Sequence, residues 1–570
     1  MKNLFSAAIA MDRDSLDQFV EKACGSDRLL RRELQVLLYS HFQLKELETR
    51  ESAAEGDEIV TIWDAEGASI GGRFRVIRKL GSGGFGDVYE AFDSKLNLAV
   101  AVKRLRDSSP SALARFKREF RMLAKFRHPG VVQLYELIQE ADQWFFTMEL
   151  LPGTDFLGYV RSPFLVHYGK LRAAMLQLAE GIHALHRSRI LHRDIKPSNV
   201  RVTPNGRVVL LDFGLVKQIE TVTVMDSHSR TLVGTPGYLA PEQITQRKAS
   251  EASDWYSAGV LLYVALTGRS PYDGSPLEMM LNQRMEDPVP PHKYVESTPA
   301  DLASLCMDLL RREPEERPDG DDILRRLRGA AVATIRPPAA HLEDPKMVFA
   351  SGSHELQALT ESVETVRSGR PAAVRIRESS DIGKTRLAER FLESIRIACP
   401  EALVLKGRCY DNESVPYKAL DDLVDALCRH MRRLTEQGVD AILPRNFRLL
   451  TRIFPVLGYF VSAGQAINLG ETMNPAEKRR RALEALKELF GRLAERSLLV
   501  IFIEDLQWGD LASIRFLNHL MGPSDPPPLL LLLSYRQEGQ DSILDTLSFA
   551  AELDADPRQP KSCRGLLTRC

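Results

Sequence analysis

Two short polar segments in the middle of the chain constrain its fold and chemistry more than any other feature. Residues 192–199 read HRDIKPSN, and residues 212–214 read DFG. Together they carry the groups needed for phosphoryl transfer from a metal-bound nucleotide to a hydroxyl. In that reaction a protein positions the phosphoryl group, neutralises its charge and accepts a proton. Asp194 suits the proton-accepting role, and Asn199 and Asp212 suit metal binding. Because the motifs occur together and in order, coincidence is a poor explanation.

The segment upstream supplies a loop of the kind that binds phosphates. Residues 81–88 match the pattern G-x-G-x-x-G-x-V, and the alternating segment 74–77 before them predicts a strand. Glycines in such a loop let the backbone approach phosphates without a Cβ in the way. A glycine loop alone is more often an ordinary hairpin, so its interpretation depends on the residues on its C-terminal side.

A lysine and a glutamate come after the loop in the expected order. Residues 100–103 read VAVK at the distance of the next strands, which allows Lys103 to reach the α- and β-phosphates. The helical run 112–126 then offers Glu119 as the partner that would hold Lys103 in place.

Taken together, these motifs make residues 74 to about 330 resemble a bacterial, eukaryotic-type (Hanks-type) Ser/Thr protein kinase domain. The resemblance implies a bilobal fold with a β-rich N-terminal lobe and a helical C-terminal lobe, and the use of ATP and Mg²⁺. The catalytic positions that it implies are Asp194, Lys196, Lys103 and Glu119. The metal ligands that it implies are Asn199 and Asp212. The nucleotide-binding positions that it implies are Leu80, Gly81, Ser82, Gly83, Gly84, Phe85, Gly86, Val88, Ala101, Lys103, Glu149, Leu151, Asp155, Asn199 and Asp212.

The same resemblance assigns the adenine and substrate regions. The backbone of Glu149 and Leu151 is implied to bind adenine beside the gatekeeper Met148, and Asp155 falls where the family places a ribose or substrate carboxylate. Lys196, two residues after Asp194, is the family's signature for Ser/Thr specificity.

Residues 234–242, GTPGYLAPE, match the end of an activation segment, with Thr235 implied to lie under the substrate hydroxyl. Arg193 permits control by phosphorylation, because a phosphate on this segment can form charge-assisted bonds with it. The candidate phosphorylation sites are Thr231 first, then Ser229, Ser227 and Thr223.

Three further charged residues receive structural roles and no catalytic one. The resemblance implies a buried ion pair between Glu242 and Arg317, and it implies that Asp254 braces the catalytic loop from its helix.

Composition excludes several classes of protein. With 570 residues the chain is long enough for three or four structural units, and its net charge of -1 gives no long-range attraction to nucleic acid or anionic lipid. Its seven cysteines are scattered and contain no C-x-x-C pair, which favours thiols in a reducing cytoplasm over a zinc site or disulfide framework. No apolar run approaches the length of a membrane span. We therefore expect a cytoplasmic protein with neither nucleic acid nor membrane as a partner.

The chain divides at changes in composition. The predicted units are a helical extension at 1–43, an acidic linker at 44–70, the kinase-like domain at 71–330, a Pro-rich linker at 331–346, a second α/β module at 347–556 and an irregular tail at 557–570. The N-terminal helices either form a small pair that packs on itself or on the kinase-like domain, or they form a docking surface for a regulatory partner. The tail has the character of a truncated or frame-shifted end.

The second module carries signs of a P-loop. A predicted strand at 372–376 leads to Gly383-Lys384-Thr385 and a predicted helix at 386–397, the context that a P-loop requires. The apolar run 499–503 ends in two acids, of which Asp505 would face Mg²⁺. This half resembles the AAA-like ATPase module of large bacterial signalling proteins, which implies a partial parallel-sheet P-loop domain. Gly383, Lys384, Thr385 and Asp505 form its predicted second, weak nucleotide site.

Two acids depart from the P-loop pattern. Glu378 stands at the first glycine position and Asp381 where such modules usually carry another glycine. Electrostatic repulsion between a carboxylate and a nearby phosphate weakens binding by roughly 3 kcal/mol at an effective dielectric of about 20. We therefore expect a retained fold with weak or no nucleotide binding.

The sequence favours a Ser/Thr protein kinase that phosphorylates protein substrates and itself in trans, with a C-terminal module that regulates or scaffolds. The alternative is a nucleotide-switch regulator in which the kinase domain is an adaptor. Intact Lys103, Glu119, Asp194, Asn199 and Asp212 beside a damaged P-loop favour the first interpretation.

Overall fold

The computed structural model describes three stretches of the chain. These are residues 67–212, 236–329 and 353–554, without the short segments 84–85, 141–142, 163–164, 245–248, 379–383, 462–473, 523, 537–545 and 550, and with Phe19 and Ala23 in addition. Apart from Phe19 and Ala23, the predicted N-terminal helices lie outside the described residues, as do the linker at 331–346 and the tail at 557–570. Among the described helices, none combines the length and apolar composition that a membrane crossing needs.

The first lobe is a twisted antiparallel sheet beside one helix, as the resemblance implied. Its strands are β1 (Ser69–Ile70), β2 (Phe74–Gly83), β3 (Gly86–Asp93), β4 (Leu98–Leu105), β5 (Leu134–Glu140) and β6 (Gln143–Glu149), and its helix is α1 (Pro110–Leu123). The sheet order is β1-β2-β3-β4-β6-β5. Because β1 pairs with β2, the sheet begins two residues before the predicted start of the domain at residue 71.

Helix α1 begins and packs for local reasons. The Ser109 side chain accepts a hydrogen bond from the amide of Ala112, and proline occupies the first helical turn. Buried residues at helical spacing, among them Leu113, Phe116 and Phe120, face the sheet. The helix ends at Leu123, three residues before the predicted end at 126.

The second lobe is mainly helical. Its helices are α2 (Phe156–Val160), α3 (Tyr168–Arg187), α4 (Pro241–Ile244), α5 (Glu251–Thr267), α6 (Pro276–Met285), α7 (Ala300–Leu309) and α8 (Gly320–Arg328). Its short strands are β7 (Thr154–Asp155), β8 (Arg161–Ser162), β9 (Leu165–Val166), β10 (Val200–Val202) and β11 (Val208–Leu210). Helix α5 is apolar nearly all round and buried, so it forms the centre of this lobe.

The C-terminal half is a parallel α/β module, as predicted. Its strands are β12 (Ala372–Glu378), β13 (Leu403–Arg408), β14 (Glu413–Ser414), β15 (Leu499–Glu504), β16 (Leu529–Arg536) and β17 (Ala551–Asp554). Its helices are α9 (Ser353–Arg367), α10 (Lys384–Ala398), α11 (Lys418–Met431), α12 (Glu436–Asp440), α13 (Phe447–Ile453), α14 (Pro475–Ala494) and α15 (Leu511–Met521). The five-stranded sheet has the order β13-β15-β16-β12-β17, with every pairing parallel. Its central strands β15 and β16 are fully buried apolar runs.

One strand of the C-terminal half leaves its own sheet. The two-residue β14 pairs in parallel with β5 at the far edge of the first lobe's sheet, with Glu413 beside Leu137 and Ser414 beside Ile138. The two halves of the chain therefore share a continuous backbone contact.

Candidate active site

Lys103 occupies the centre of the site. It lies on β4, opposite Phe146 of β6, and is almost fully buried. Its ammonium group lies 3.0 Å from Oε1 of Glu119 and 2.8 Å from Oδ1 of Asp212. The structure thus brings together the predicted lysine, its helical partner and the aspartate of the DFG motif.

The charges of this triad are set by burial and mutual attraction. Burial lowers the pKa of Lys103, but the carboxylates of Asp212 and Glu119 outweigh it and raise this pKa above its ordinary value. Lys103 therefore stays charged at neutral pH. Burial also raises the pKa of Glu119. The charge of Lys103 lowers this pKa, but the effect of burial is larger. The side chain of Asp212 is 42% exposed and opens toward solvent, which suits a ligand-binding carboxylate.

The catalytic loop holds Asp194 beside Asn199. The amide nitrogen of Asn199 donates to the backbone oxygen and to Oδ2 of Asp194, both at 2.8 Å. Within the described residues, the side-chain oxygen of Asn199 accepts no hydrogen bond. The ammonium of Lys196 lies 3.1 Å from Oδ2 of Asp194. An amide oxygen and the carboxylate of Asp212 form the oxygen donor set that Mg²⁺ prefers, so these residues fit that ion.

Asp254 braces this loop from α5. Its carboxylate accepts hydrogen bonds from the backbone amides of His192, at 2.8 Å, and Arg193, at 2.7 Å. It also forms a hydrogen bond with the ring of His186. Arg193 has a positive φ of 66°, a strained conformation that these bonds hold in place. The bracing role implied for Asp254 agrees with this geometry.

The glycine-rich hairpin is formed by β2 and β3. Gly81 pairs with Val88, Ser82 with Asp87, and Gly83 with Gly86. A Cβ at Gly86 would lie 1.9 Å from the backbone oxygen of Arg104, so only glycine fits there. Gly84 and Phe85 lie outside the described residues. Leu80 is partly exposed on β2, while Ala101 is buried on β4.

The connection between the lobes comes directly after β6. Met148 pairs with Ala101 and is largely buried, which agrees with the implied gatekeeper position. Glu149 ends β6, and its carboxylate forms an ion pair with Arg207 from the second lobe. No sequence signal indicated this partner, because the two residues are distant and lie in different lobes. Leu151 lies on the connection itself.

Asp155 caps the helix that comes after the connection. Its Oδ1 accepts the backbone amide of Gly158 at 2.8 Å at the start of α2. The carboxylate keeps a second oxygen, so the capping bond and the implied contact with ribose or substrate are compatible.

Glu242 and Arg317 form the buried ion pair that the resemblance implied. Both guanidinium nitrogens of Arg317 lie 2.8 Å from the carboxylate oxygens of Glu242, and the arginine side chain is fully buried. Ser253 adds a third bond to the glutamate. This pair ties α4 to the segment before α8 and touches no reacting group. The phosphorylation candidates Thr231, Ser229, Ser227 and Thr223, and Thr235, lie outside the described residues.

The predicted second nucleotide site is described only in part. Gly383 and the side chains of Lys384 and Thr385 lie outside the described residues, and Lys384 begins α10. Asp505 has a positive φ of 55° directly after β15. Its Oδ2 lies 2.7 Å from Arg408 and 3.8 Å from Lys125 of the first lobe. The predicted Mg²⁺-facing acid is thus engaged by two cations.

Comparison with protein families agrees with this division of the chain. Residues 74–326 match the family described as "Protein kinase domain", and residues 353–532 match the family described as "AAA ATPase domain". These matches confirm the predicted bilobal kinase fold and the parallel-sheet module on its C-terminal side.

Curated relatives are bacterial kinases. The chain is 35% identical over 294 residues to serine/threonine-protein kinase pkn2 of Myxococcus xanthus, covering 50% of this chain and 35% of the relative. It is 30% identical over 255 residues to PrkC of Bacillus subtilis, covering 44% and 39%. It is 30% identical over 322 residues to PknA of Mycobacterium tuberculosis, covering 54% of this chain and 72% of the relative. The chain thus spans little more than a third of the length of pkn2 and PrkC.

Proposed function

The chain belongs to the serine/threonine protein kinases, and we propose that it transfers the γ-phosphoryl group of ATP to Ser or Thr residues of protein substrates, itself included. The observation that carries the proposal is the convergence of Glu119 and Asp212 on the buried ammonium of Lys103, with the bonded pair Asp194 and Asn199 on the neighbouring loop. A domain retained as an adaptor has no need for this complete set.

The roles of the residues derive from their charge and placement. Lys103 binds phosphate oxygens, and Glu119 fixes the direction of its ammonium group. Asp194 orients the attacking hydroxyl and accepts its proton as the new oxygen–phosphorus bond forms and ADP departs. Lys196 places a positive charge beside Asp194 and the transferred phosphoryl group. Mg²⁺, held by Asn199 and Asp212, would neutralise charge on the phosphate oxygens.

The proposed setting is the cytoplasm of a bacterium. The described cysteines, Cys306, Cys399, Cys409 and Cys428, are all buried free thiols, which suits a reducing compartment. Partners in this proposal are protein substrates, a second copy of the chain for phosphorylation in trans, and regulators that contact the N-terminal helices or the C-terminal module.

The activity is tested by incubating the full chain with labelled Mg²⁺-ATP and a generic acceptor protein. We expect label on the chain and on the acceptor, recovered as phosphoserine or phosphothreonine after hydrolysis. A chain that binds ATP but transfers no phosphate under any metal condition would favour the adaptor alternative.

We predict that activity depends on phosphorylation between Asp212 and Glu242. A phosphate there can bond to Arg193, whose strained backbone lies next to Asp194. Thr231→Ala is expected to lower kcat/KM by about tenfold, the scale of a typical coupling free energy. Mass spectrometry of the active chain should find phosphate on Thr231, Ser229 or Ser227. Active protein with an unmodified segment would refute the prediction.

We also predict that ATP binds mainly in the kinase cleft. Glu378 and Asp381 replace glycines in a loop whose backbone amides must wrap around phosphates. Calorimetric titration of the full chain should give one strong site, and the Glu378→Gly, Asp381→Gly double variant should give two. Adding Lys384→Ala to the double variant should remove the second site again. Two strong sites in the unmodified chain would show that the acids are tolerated.

A further inference from the structure

A cluster of buried charges joins helix α1 of the first lobe to the C-terminal module. The ammonium of Lys117, only 1% exposed, lies 2.9 Å from both oxygens of Asp421 and 2.8 Å from Asp425. Arg121 contacts the same two aspartates and holds Glu413 through two nitrogens, at 2.6 and 3.2 Å. All five side chains are buried where the two halves meet.

The cluster lies on the side of α1 opposite the active site. Lys117 and Arg121 are four residues apart and therefore share one face of the helix. Glu119, midway between them, points the other way and meets Lys103. Helix α1 is thus held from both sides, by the module on one face and by the catalytic lysine on the other. A shift of the helix at the cluster would displace Glu119 as well.

Backbone and apolar contacts reinforce the junction. The amide of Leu137 donates to the backbone oxygen of Asn412 at 3.0 Å, next to the pairing of β14 with β5. Val415 packs into the apolar core of the kinase domain, while the guanidinium of Arg121 lies over the ring of Tyr410 at 5.5 Å. The contact therefore combines backbone hydrogen bonds at the sheet edge, apolar packing of Val415 and the buried charges of the cluster.

The charges of the cluster are interdependent. Two cations meet three buried carboxylates, and burial together with neighbouring Asp421 raises the pKa of Asp425. Burial lowers the pKa of Lys117, but the negative charges of Asp421 and Asp425 stabilise its protonated form and raise the pKa above its ordinary value. If the charges on either α1 or the module are removed, the charges on the other partner stay buried without compensation, and this opposes docking.

We propose that Lys117 and Arg121 are positioning residues through which the docked C-terminal module holds α1 so that Glu119 engages Lys103. The module then acts as a built-in activator of the kinase domain, and its release would let α1 move away from the lysine. This inference rests on the proposed kinase function. The partner is the acidic face formed by Glu413, Asp421 and Asp425 of the same chain.

The interface also reaches the edge of the module's sheet. Lys125, four residues beyond Arg121, lies 3.8 Å from Asp505 at the end of β15. A change in the module at this edge would therefore act on the same segment of the first lobe.

The test uses the full chain with Asp421→Asn and Asp425→Asn together, which preserve size and remove charge. The matched control is Glu477→Gln with Glu484→Gln, which neutralises two acids in the exposed ion pairs of α14. The rate of hydrogen exchange in α1 and β5 shows whether the module is docked. The value of kcat/KM shows whether Glu119 is held in position against Lys103. We expect faster exchange in α1 and about a tenfold fall in kcat/KM for the interface variant only.

A second background separates positioning from general damage. If the cluster acts through Glu119, the interface variant should change kcat/KM little once Glu119→Gln is present. Equal losses in both backgrounds, unchanged exchange in α1, or lost protection in α14 and β15 would each overturn the proposal. The exchange measurement needs no catalysis, so an inactive wild-type chain would refute the proposed function separately from the docking.

Discussion

Asp194→Ala is expected to lower the rate of phosphoryl transfer by about 10³-fold or more, while ATP affinity stays nearly unchanged. Asp194 is the carboxylate placed to accept the proton of the attacking hydroxyl, and Asn199 and Lys196 hold its Oδ2 from two sides. Its loss is expected to act on the transition state, because the proton of the hydroxyl is transferred as the new oxygen–phosphorus bond forms. Single-turnover kinetics with saturating Mg²⁺-ATP measures this step directly.

The matched control is Asp287→Ala. Asp287 pairs with Arg312 on the surface and its side chain is 77% exposed, so its removal should leave both rate and stability within experimental error. Equal activity of the wild-type and Asp194→Ala chains would contradict the assigned chemistry, and a fall in ATP affinity of similar size would show that Asp194 acts in binding instead.

Much of the kinase domain could be predicted because its signals are local. The strand containing Lys103 and two strands of the second module, at 372–376 and 499–503, are predicted from short apolar runs, and β4, β12 and β15 lie within a few residues of those bounds. Roles for Asp194, Lys196 and Asn199 could be proposed from the sequence because these three residues lie in one loop with a fixed spacing. Pairing of Lys103 with Glu119 was implied by the family pattern and agrees with the 3.0 Å contact.

The junction between the halves could not be predicted, for a physical reason. Lys117 and Arg121 are ordinary charges on an amphipathic helix, and their partners lie about three hundred residues later in the chain. A charged helical residue is normally solvated, so no periodicity marks one that becomes buried by another domain. Strand β14 has only two residues and no alternation to detect. The pairing of Glu149 with Arg207 was missed for the same reason.

For Asp505, the sequence predicts the strand before it correctly but does not indicate which residues contact its side chain. The apolar run before it predicted a buried strand, and β15 is one. Nothing in the sequence pattern indicated that Arg408 would lie 2.7 Å from the acid. Burial raises the pKa of Asp505, but Arg408 and Lys125 outweigh this effect and lower it. The carboxylate is therefore ionised and already paired with protein cations, and weak nucleotide binding in this module stays a prediction.

The second large effect is expected for Lys103→Met. This change removes the ammonium that binds phosphate oxygens, and we expect kcat/KM for ATP to fall by about a hundredfold or more. It also leaves Glu119 buried without its cation, which is expected to lower the free energy of unfolding by about 3–5 kcal/mol. Kinetics and denaturant unfolding of the full chain measure the two effects separately.

Adding Glu119→Gln to Lys103→Met distinguishes the two consequences. The double variant no longer buries an unpaired carboxylate, so most of the lost stability should return, while activity should stay at the level of Lys103→Met. Recovery of activity along with stability would mean that Lys103 serves only as a structural partner of Glu119. A stable double variant that still fails to bind ATP would place the phosphate contact on Lys103 itself, as its position between Glu119 and Asp212 leads us to expect.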